Sequence, residues 1–437
     1  MNKKKIIKSV SAMIAVFISA FSDPASGFVT QFVPTVSVSE VYTDNYNQTE
    51  KNREGEFSTE YMAGFDFEFI ETRKQINFSY NVSYMNYDEH HENDFLNQNL
   101  NLTGLFNLAR HTDINFVETF TRTRDISQRT GTWEDHDLNV FYTQLNHQFG
   151  ERDFISLDFS YSFNKYNDPN LDEYESFHPS GTLSYWFNRD YGLVLSCFYE
   201  LNRFDLSNNR EETFSGDIRF VKQISRHFLI YSDNDFAKSR DDFEKHTIYA
   251  PSLGFEWTLS ESSNISMGAG MMFNNYANQQ DTRDFFLDLN IFKIFNLNRR
   301  TSFAISAASG RGETGEDSAS LGYRVYYRGG VNFHYALTRE AGLDISSFCS
   351  KDDFIEQRFD RTDYTFNVRT GFTFTPLDWL SFVLSWSYTD FRTNADTRDD
   401  FAENQAALTV TLTPLHPGRL QQRESIRESV ETRIFER

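Results

Sequence analysis

No stretch in the body of this chain approaches the roughly 18 consecutive apolar residues of a transmembrane helix, which excludes helical membrane spans there. Cysteine is almost absent, with 2 in 437 residues. The two, Cys197 and Cys349, fall on segments far apart in order, so no disulfide is expected. Basic residues are outnumbered, 42 Lys and Arg against 63 Asp and Glu, for a formal charge of −21. That balance argues against nucleic acid as a partner. The patterns G-x-S-x-G and H-E-x-x-H do not occur. The chain is not expected to be an enzyme or to carry a cofactor, and only a Ser/His/Asp or Asp/His set gathered from distant segments stays open. Hydrophobic residues reach only 39% and mean hydropathy is −0.57, an odd recipe for a two-layer domain of this length.

What the chain does have is aromatic residues, 45 Phe and 22 Tyr, arranged at every second position. In Phe57–Phe69 the apolar or small set is Phe57, Thr59, Tyr61, Ala63, Phe65, Phe67 and Phe69. The interleaved set is Ser58, Glu60, Met62, Gly64, Asp66 and Glu68. Side chains alternate across a strand, so this segment has one apolar and one wet face. The pattern recurs from about residue 33 to about 413 and is clearest in Ile76–Tyr84, Phe154–Phe163, Tyr323–Leu337 and Tyr364–Phe374. Asp113–Arg122 and Thr213–Ile224 carry charges on both parities and fit it less well. So many half-apolar strands fit an all-β, up-and-down antiparallel transmembrane barrel of about 20 strands (roughly 18–22), wet inside and apolar outside. Cys197 and Cys349 share the parity of Leu195, Tyr199, Leu343 and Ile345 and are expected to face lipid.

The N-terminus agrees. Lys3, Lys4, Lys5 and Lys8 precede an apolar stretch, Ser9–Phe21, and then small residues at Ala20-Phe21-Ser22 and Ala25-Ser26-Gly27. This reads as a secretory signal peptide over 1–27, followed by a barrel over 31–414 and a tail over 415–437. In the tail, Ile426, Val430 and Ile434 recur every four residues, which fits a short amphipathic helix or partial disorder. A leader joined to such strands points to the outer membrane of a Gram-negative cell, with outer-membrane lipid and lipopolysaccharide as surroundings. Short connections such as Glu71–Gln75 and Ser225–His227 alternate with longer, charged ones such as Gln48–Glu56, Ser309–Ser318 and Ser350–Arg361. Short turns are periplasmic in such barrels, so both termini are expected there. Asp94-Phe95, Asp242-Phe243, Asp284-Phe285, Asp353-Phe354 and Asp400-Phe401 open strands after long loops, as an aromatic girdle would require.

Taking the apolar parity as outward, the candidate lumen lining is Glu60, Asp66, Glu68, Asn77, Asn81, Asp158, Asn164, Asp288, Asn290, Arg324, Tyr326, Arg328, Asn332, His334, Asn367 and Arg369. Such groups hold water and stack on sugar rings, and rings of charge set ion selectivity. The bland alternative is a wet wall without preference. Net acidity either biases a pore toward cations or solvates loops, and charge runs sitting mostly in turns favour the second. Gly310-Arg-Gly-Glu-Thr-Gly315 has dinucleotide spacing, but a strand follows where that motif needs a helix, so an outside loop is expected. His90-His91, with Glu89, Glu92 and Asp94, has no second pair at ligand spacing, so a solvated loop tip and no metal are expected.

The opening Pro34-Thr-Val-Ser-Val-Ser-Glu-Val-Tyr-Thr-Asp-Asn45 and the closing Glu403-Asn-Gln-Ala-Ala-Leu-Thr-Val-Thr-Leu-Thr-Pro414 resemble the first and last strands of outer-membrane barrels of the β-barrel porin 2 type, found beside exosortase/PEP-CTERM and exopolysaccharide systems. The resemblance implies a channel near exopolysaccharide secretion, with polysaccharide or an export complex as partner and no catalytic residue to carry over. The charged tail after Pro414 departs from it. A structural or surface-binding protein that contacts matrix or lipopolysaccharide through acidic loops is the alternative. N-terminal sequencing of the exported chain is expected to start between Asp23 and Phe28; an uncleaved Met1 would contradict the leader.

Overall fold

A computed structural model describes residues 29–413 apart from 127–132, 169–170, 172, 207–208, 241–244, 278–280, 317–318, 357–358 and 396–399. The expected leader and tail lie outside the described residues. Between them run twenty strands: β1 (Val29–Thr43), β2 (Glu56–Glu71), β3 (Lys74–Tyr87), β4 (Phe95–Ala109), β5 (Thr112–Ile126), β6 (Trp133–Gln148) and β7 (Phe154–Tyr166). Next come β8 (Tyr174–Trp186), β9 (Tyr191–Phe204), β10 (Arg210–Ser225), β11 (Phe228–Arg240), β12 (Lys245–Ser260), β13 (Ser263–Tyr276) and β14 (Thr282–Asn298). The last are β15 (Thr301–Glu316), β16 (Ala319–Ala336), β17 (Ala341–Glu356), β18 (Phe359–Leu377), β19 (Leu380–Thr393) and β20 (Phe401–Leu412).

Each strand pairs antiparallel with its sequence neighbours, and β20 returns to pair with β1 from Val36↔Leu412 to Thr43↔Gln405. The sheet is therefore a closed up-and-down barrel, as the alternation predicts. Closure gives each described strand a partner on both sides, the condition for a sheet in lipid. Side chains reinforce the seam. Ser39 and Thr409 hydroxyls meet at 2.8 Å, and the Asn404 backbone and side-chain amides both donate to Asp44.

Strands of 12 to 19 residues exceed the roughly nine to eleven that cross a bilayer, so they project beyond it. The β15–β16 and β17–β18 pairs continue to Glu316↔Ala319, past a register shift between Thr314 and Gly315, and to Glu356↔Phe359. The segments Ser309–Ser318 and Ser350–Arg361, expected as loops, are thus mostly strand. Past the bilayer edge a ladder needs no apolar face, so alternation vanishes from the sequence while pairing continues. Gly310–Gly315 is part of β15 for the same reason. The short turns gather at one rim, with the start of β1 and the end of β20. There Asn188 and Asn298 carboxamides accept backbone N–H groups of Asp190, Tyr191 and Arg300, the turn-forming habit of asparagine.

Outward faces carry exposed apolar side chains, with Tyr185, Tyr191, Trp257 and Trp379 near the short-turn rim and Tyr42, Tyr84, Tyr249 and Tyr364 toward the other. Such paired aromatic belts mark the two interfaces of a bilayer. Asp242-Phe243 lies outside the described residues, and the other acid–Phe pairs do not jointly build that belt. Phe285 faces outward, 69% exposed, whereas Phe354 and Phe401 point inward and are buried. Phe401 stacks on Phe391 at 5.4 Å, and the Arg361 guanidinium lies 5.3 Å above Phe354. The first residue after a loop can fall on either parity, so its position alone does not set its face.

Phe106 and Phe116 stack on the outer face of β4 and β5, the latter lying over Gly104, which has no side chain to block it. Beside them sits an exception. Glu118 pairs in register with Leu102 and Phe141 on this outer face, flanked on its own strand by Phe116 and Phe120, and its carboxylate accepts only the Asn139 amide at 3.3 Å. This is the charge that made Asp113–Arg122 hard to read. A carboxyl on a lipid-facing wall at mid-height is destabilising. Glu118→Leu is expected to raise stability by about 1 kcal/mol, measured by urea unfolding in vesicles; a loss of stability would contradict the outward assignment.

Candidate functional site

The lumen is the surface on which polar side chains converge. Alternation and register place all sixteen candidate lining residues on inward faces: Glu60, Asp66 and Glu68 on β2, Asn77 and Asn81 on β3, Asp158 and Asn164 on β7, and Asp288 and Asn290 on β14. Arg324, Tyr326, Arg328, Asn332 and His334 follow on β16, and Asn367 and Arg369 on β18. They do not form one cluster. They belong to arcs of different chemistry.

The arc from β3 to β8 is amide and hydroxyl. Asp158 is its focus, accepting bonds from the Tyr142 hydroxyl (2.7 Å), the Gln144 amide (2.5 Å) and the Ser156 hydroxyl. Gln144 accepts from Asn115, and Asn146 donates to Asp113. These bonds lie along the wall and hold its side chains in place.

The arc from β10 to β14 is acidic. Asp217 lies opposite Asp235, and Arg219 opposite Asp233, across the β10–β11 ladder. Arg219 binds Asp233 at 2.8 Å and Glu256 at 3.1 Å while lying 4.4 Å over the Tyr231 ring. One carboxylate oxygen each of Asp217, Asp233 and Asp235 falls within 4.8 Å of the others. Beneath them, Ile248, Ala250, Met272 and Phe286 form a small apolar cluster facing the lumen. Tyr231 and Phe286 lie flat on Gly254, Gly268 and Gly270, where a Cβ would clash. Glycine thus lets these rings hug the wall and keep the lumen wide.

Arg311 reaches the same arc by another route. Parity groups it with outward Ser309, yet its guanidinium binds Asp235 and lies 3.5 Å from the Phe286 ring centre. Pairing of β14 with β15 ends at Leu289↔Ser309, while β14 continues against β13 to Thr282. The wall is open there, and Arg311 turns inward through the gap.

The arc from β16 to β18 is basic. Arg361 makes a bidentate pair with Asp363, and Asp363 also accepts from the Thr393 hydroxyl. Arg324 lies 3.4 Å and Arg328 3.8 Å from Asp352, and His334 meets Asp344 at 2.7 Å. Among the described strands every lysine lies on the outward parity, beside Arg122, Arg124, Arg203, Arg210, Arg240, Arg283 and Arg392, whereas the lumen-facing cations are all arginines. The lumen-facing ones are Arg219, Arg311, Arg324, Arg328, Arg361 and Arg369. Lys74, Lys165, Lys222, Lys238, Lys245, Lys293 and Lys351 all share the outward parity. Three of those lysines lie over rings, Lys222 with Tyr191, Lys293 with Phe295 and Lys351 with Tyr364. A flexible ammonium reaches back to the interface along such rings, whereas a planar guanidinium suits fixed carboxylate geometry.

At the loop rim, the segment between β1 and β2 folds over Tyr46, which stacks on His90 (4.6 Å) and Trp133 (4.9 Å) and meets Tyr87 edge-on. Burial raises the Tyr46 phenol above its ordinary ionisation range. Asn45 ties this loop to Thr49 and Ala402. His90 approaches Glu54 and Glu92, and His91 approaches Asp94. Among the described residues, only Asp217, Asp233 and Asp235 bring three possible ligand atoms together; the His90–His91 tip does not.

Sequence reading missed Asp217 and Arg219 because β10 carries charges on both parities, and Asp233 and Asp235 because Ser232–Asp235 on β11 is polar on both parities. It missed Arg311 because parity points it the wrong way.

Neither a protein-family model nor a curated protein sequence matches the chain. Solved structures do. The chain is similar to a mutant ferric enterobactin receptor, PfeA, from Pseudomonas aeruginosa, with TM-score 0.51 and 8% identity over 88% of this chain and 80% of that one. It is similar to the siderophore receptor PirA from Acinetobacter baumannii, with TM-score 0.50 and 8% identity over 88% and 81%. The outer membrane protein opdK from Pseudomonas aeruginosa aligns at TM-score 0.39 and 8% identity over 88% and 99%. The first two likenesses establish a shared barrel fold.

Replacing Arg219 with Leu would leave Asp233 and Glu256 without their cation. Arg219→Leu is expected to cost roughly 2 kcal/mol in the same vesicle unfolding measurement; unchanged stability would show that water already screens the pair.

Proposed function

We propose that this chain is a non-enzymatic outer-membrane channel whose aqueous lumen conducts polar solutes, in association with exopolysaccharide secretion. The inversion of polarity across one sheet carries this reading. Twenty closed strands present apolar side chains outward and Asn, Ser, Thr, Asp, Glu and Arg inward. Barrels of sixteen to eighteen strands already leave an aqueous channel, so this one is wide enough. The N-terminal leader and the gathering of short turns with both ends of the barrel support an outer-membrane address with periplasmic termini. The link to polysaccharide rests on the resemblance of β1 and β20 to barrels encoded beside such systems, together with a lumen rich in amides and hydroxyls suited to sugar hydroxyls.

One observation favours a surface-binding role as a second reading. Glu54, Glu92 and Asp94 crowd the loop rim around the histidines, a local acidic surface able to meet divalent-bridged lipopolysaccharide.

Single-channel recording in planar bilayers separates the two. Stepwise, steady conductance is expected of the channel, with a reversal potential in a salt gradient that departs from zero because the lumen is charged. A barrel that inserts, as judged by heat-modifiable gel mobility, yet passes no current would overturn the channel reading.

A further inference from the structure

The lumen-facing arginines are not equivalent. Arg219, Arg311 and Arg361 each hold a carboxylate closely, and Arg324 is nearer to Asp352 than Arg328 is. Arg328 is 40% exposed, and Arg369 is exposed with no ion pair among the described residues. These two guanidiniums bracket an unusual neighbour. Phe348, on the inward face of β17, is 40% exposed to the lumen. It lies in register with Gly330 on β16 and Asn367 on β18. Arg328 stands two residues before Gly330, and Arg369 two residues after Asn367, so the two arginines occupy diagonal register positions on either side of the ring, with the Arg328 guanidinium 4.8 Å over Tyr326.

An aromatic ring left in contact with water is costly unless something covers it. In the β10–β14 arc Tyr231 and Phe286 are laid against glycines and packed. Phe348 is left standing. Glycine at 330 leaves that flank of the ring without a side chain, and a Cβ at Gly371, beside Arg369, would meet open space. The patch therefore combines an open apolar face, two water-exposed guanidiniums and the amides of Asn332 and Asn367, at mid-height of three adjacent strands.

We propose that β16–β18 form a subsite for anionic sugars, in which the ring of one uronic-acid unit lies on Phe348 with its carboxylate held by Arg369, while Arg328 meets the carboxylate of the adjoining unit. The apolar face of a pyranose matches the phenyl ring, the planar carboxylate matches a guanidinium fork, and the amides meet hydroxyls. A phosphate would use the cations but not the ring, and a neutral sugar the ring but not the cations. The subsite rests on the reading of the barrel as a polysaccharide-associated channel and narrows its substrate to an acidic sugar polymer.

The test is calorimetric binding of trigalacturonate and of maltotriose to the detergent-purified full chain, with conductance recorded on the same preparations. Wild type is expected to prefer trigalacturonate. Arg328→Gln with Arg369→Gln should weaken that ligand at least about tenfold and leave maltotriose unchanged, whereas Phe348→Ala should weaken both. Arg369→Lys keeps the charge and should still weaken trigalacturonate, which separates fork geometry from simple attraction and replaces the double variant should that fail to migrate as a folded barrel. Equal affinity for the two trisaccharides in wild type, or trigalacturonate binding untouched by Arg369→Lys and Phe348→Ala, would overturn the subsite. A silent barrel that still binds trigalacturonate through these residues would overturn conduction and keep the subsite; a conducting one without such binding would do the reverse.

Discussion

Backbone hydrogen bonding in a solvent that offers none is the constraint on which this structure depends. A sheet in lipid must pair every N–H and C=O internally, and only a closed sheet does so. The β1–β20 seam meets that requirement, with Ser39–Thr409 and Asp44–Asn404 adding side-chain bonds to the ladder. Once the sheet is closed, each strand faces two solvents, and the period of two in the sequence becomes a partition between lipid and water. No central core is needed. Two small clusters of buried apolar side chains form instead, one on the outer wall around Phe69, Ile76 and Leu102 and one on the lumenal wall around Met272 and Phe286, while others such as Val33, Leu201 and Val221 are buried outside them.

The same partition sorts the cations. The lysines of the described strands all lie on the outward faces, with arginines beside them, and the lumen holds arginine alone, which matches what each side chain can do at its address. Ammonium groups on long stems reach the interface across aromatic rings. Arg219, Arg311 and Arg361 are fixed by carboxylates, and the acids that Arg219 and Arg311 hold would otherwise repel one another and, across the β10–β11 ladder, Asp217. The wall is consequently uneven around its circumference. Amides and hydroxyls occupy β3–β8, acids dominate β10–β14, and β16–β18 carry the exposed guanidiniums. A solute in the lumen meets different chemistry on each side, and net charge alone describes none of them.

The wall was legible in the sequence because its rule is local. Phe65 and Phe67 outward with Asp66 and Glu68 inward follow from alternation, and the same parity placed both cysteines on exposed outward positions. The exceptions have nonlocal causes. Arg311 turns inward where two neighbouring strands part. Phe401 points inward because the first residue after a loop is not tied to one parity, and Phe354 because it stands inside β17 in register with Arg324 and Arg361. Gly310–Gly315 is strand because pairing outlasts the bilayer. Glu118 violates the polarity of its own face, and only register with Leu102 and Phe141 shows which face that is. The lumenal arcs were out of reach, since they depend on which strands become neighbours in height as well as in order.

Thiol accessibility at consecutive positions of one strand tests the two-solvent wall most directly. In a Cys197→Ser, Cys349→Ser background, single cysteines at Phe65, Asp66, Phe67 and Glu68 would be treated in vesicles with a membrane-impermeant maleimide. The account predicts labelling at 66 and 68 and protection at 65 and 67. Equal labelling at all four, or the opposite alternation, would contradict it.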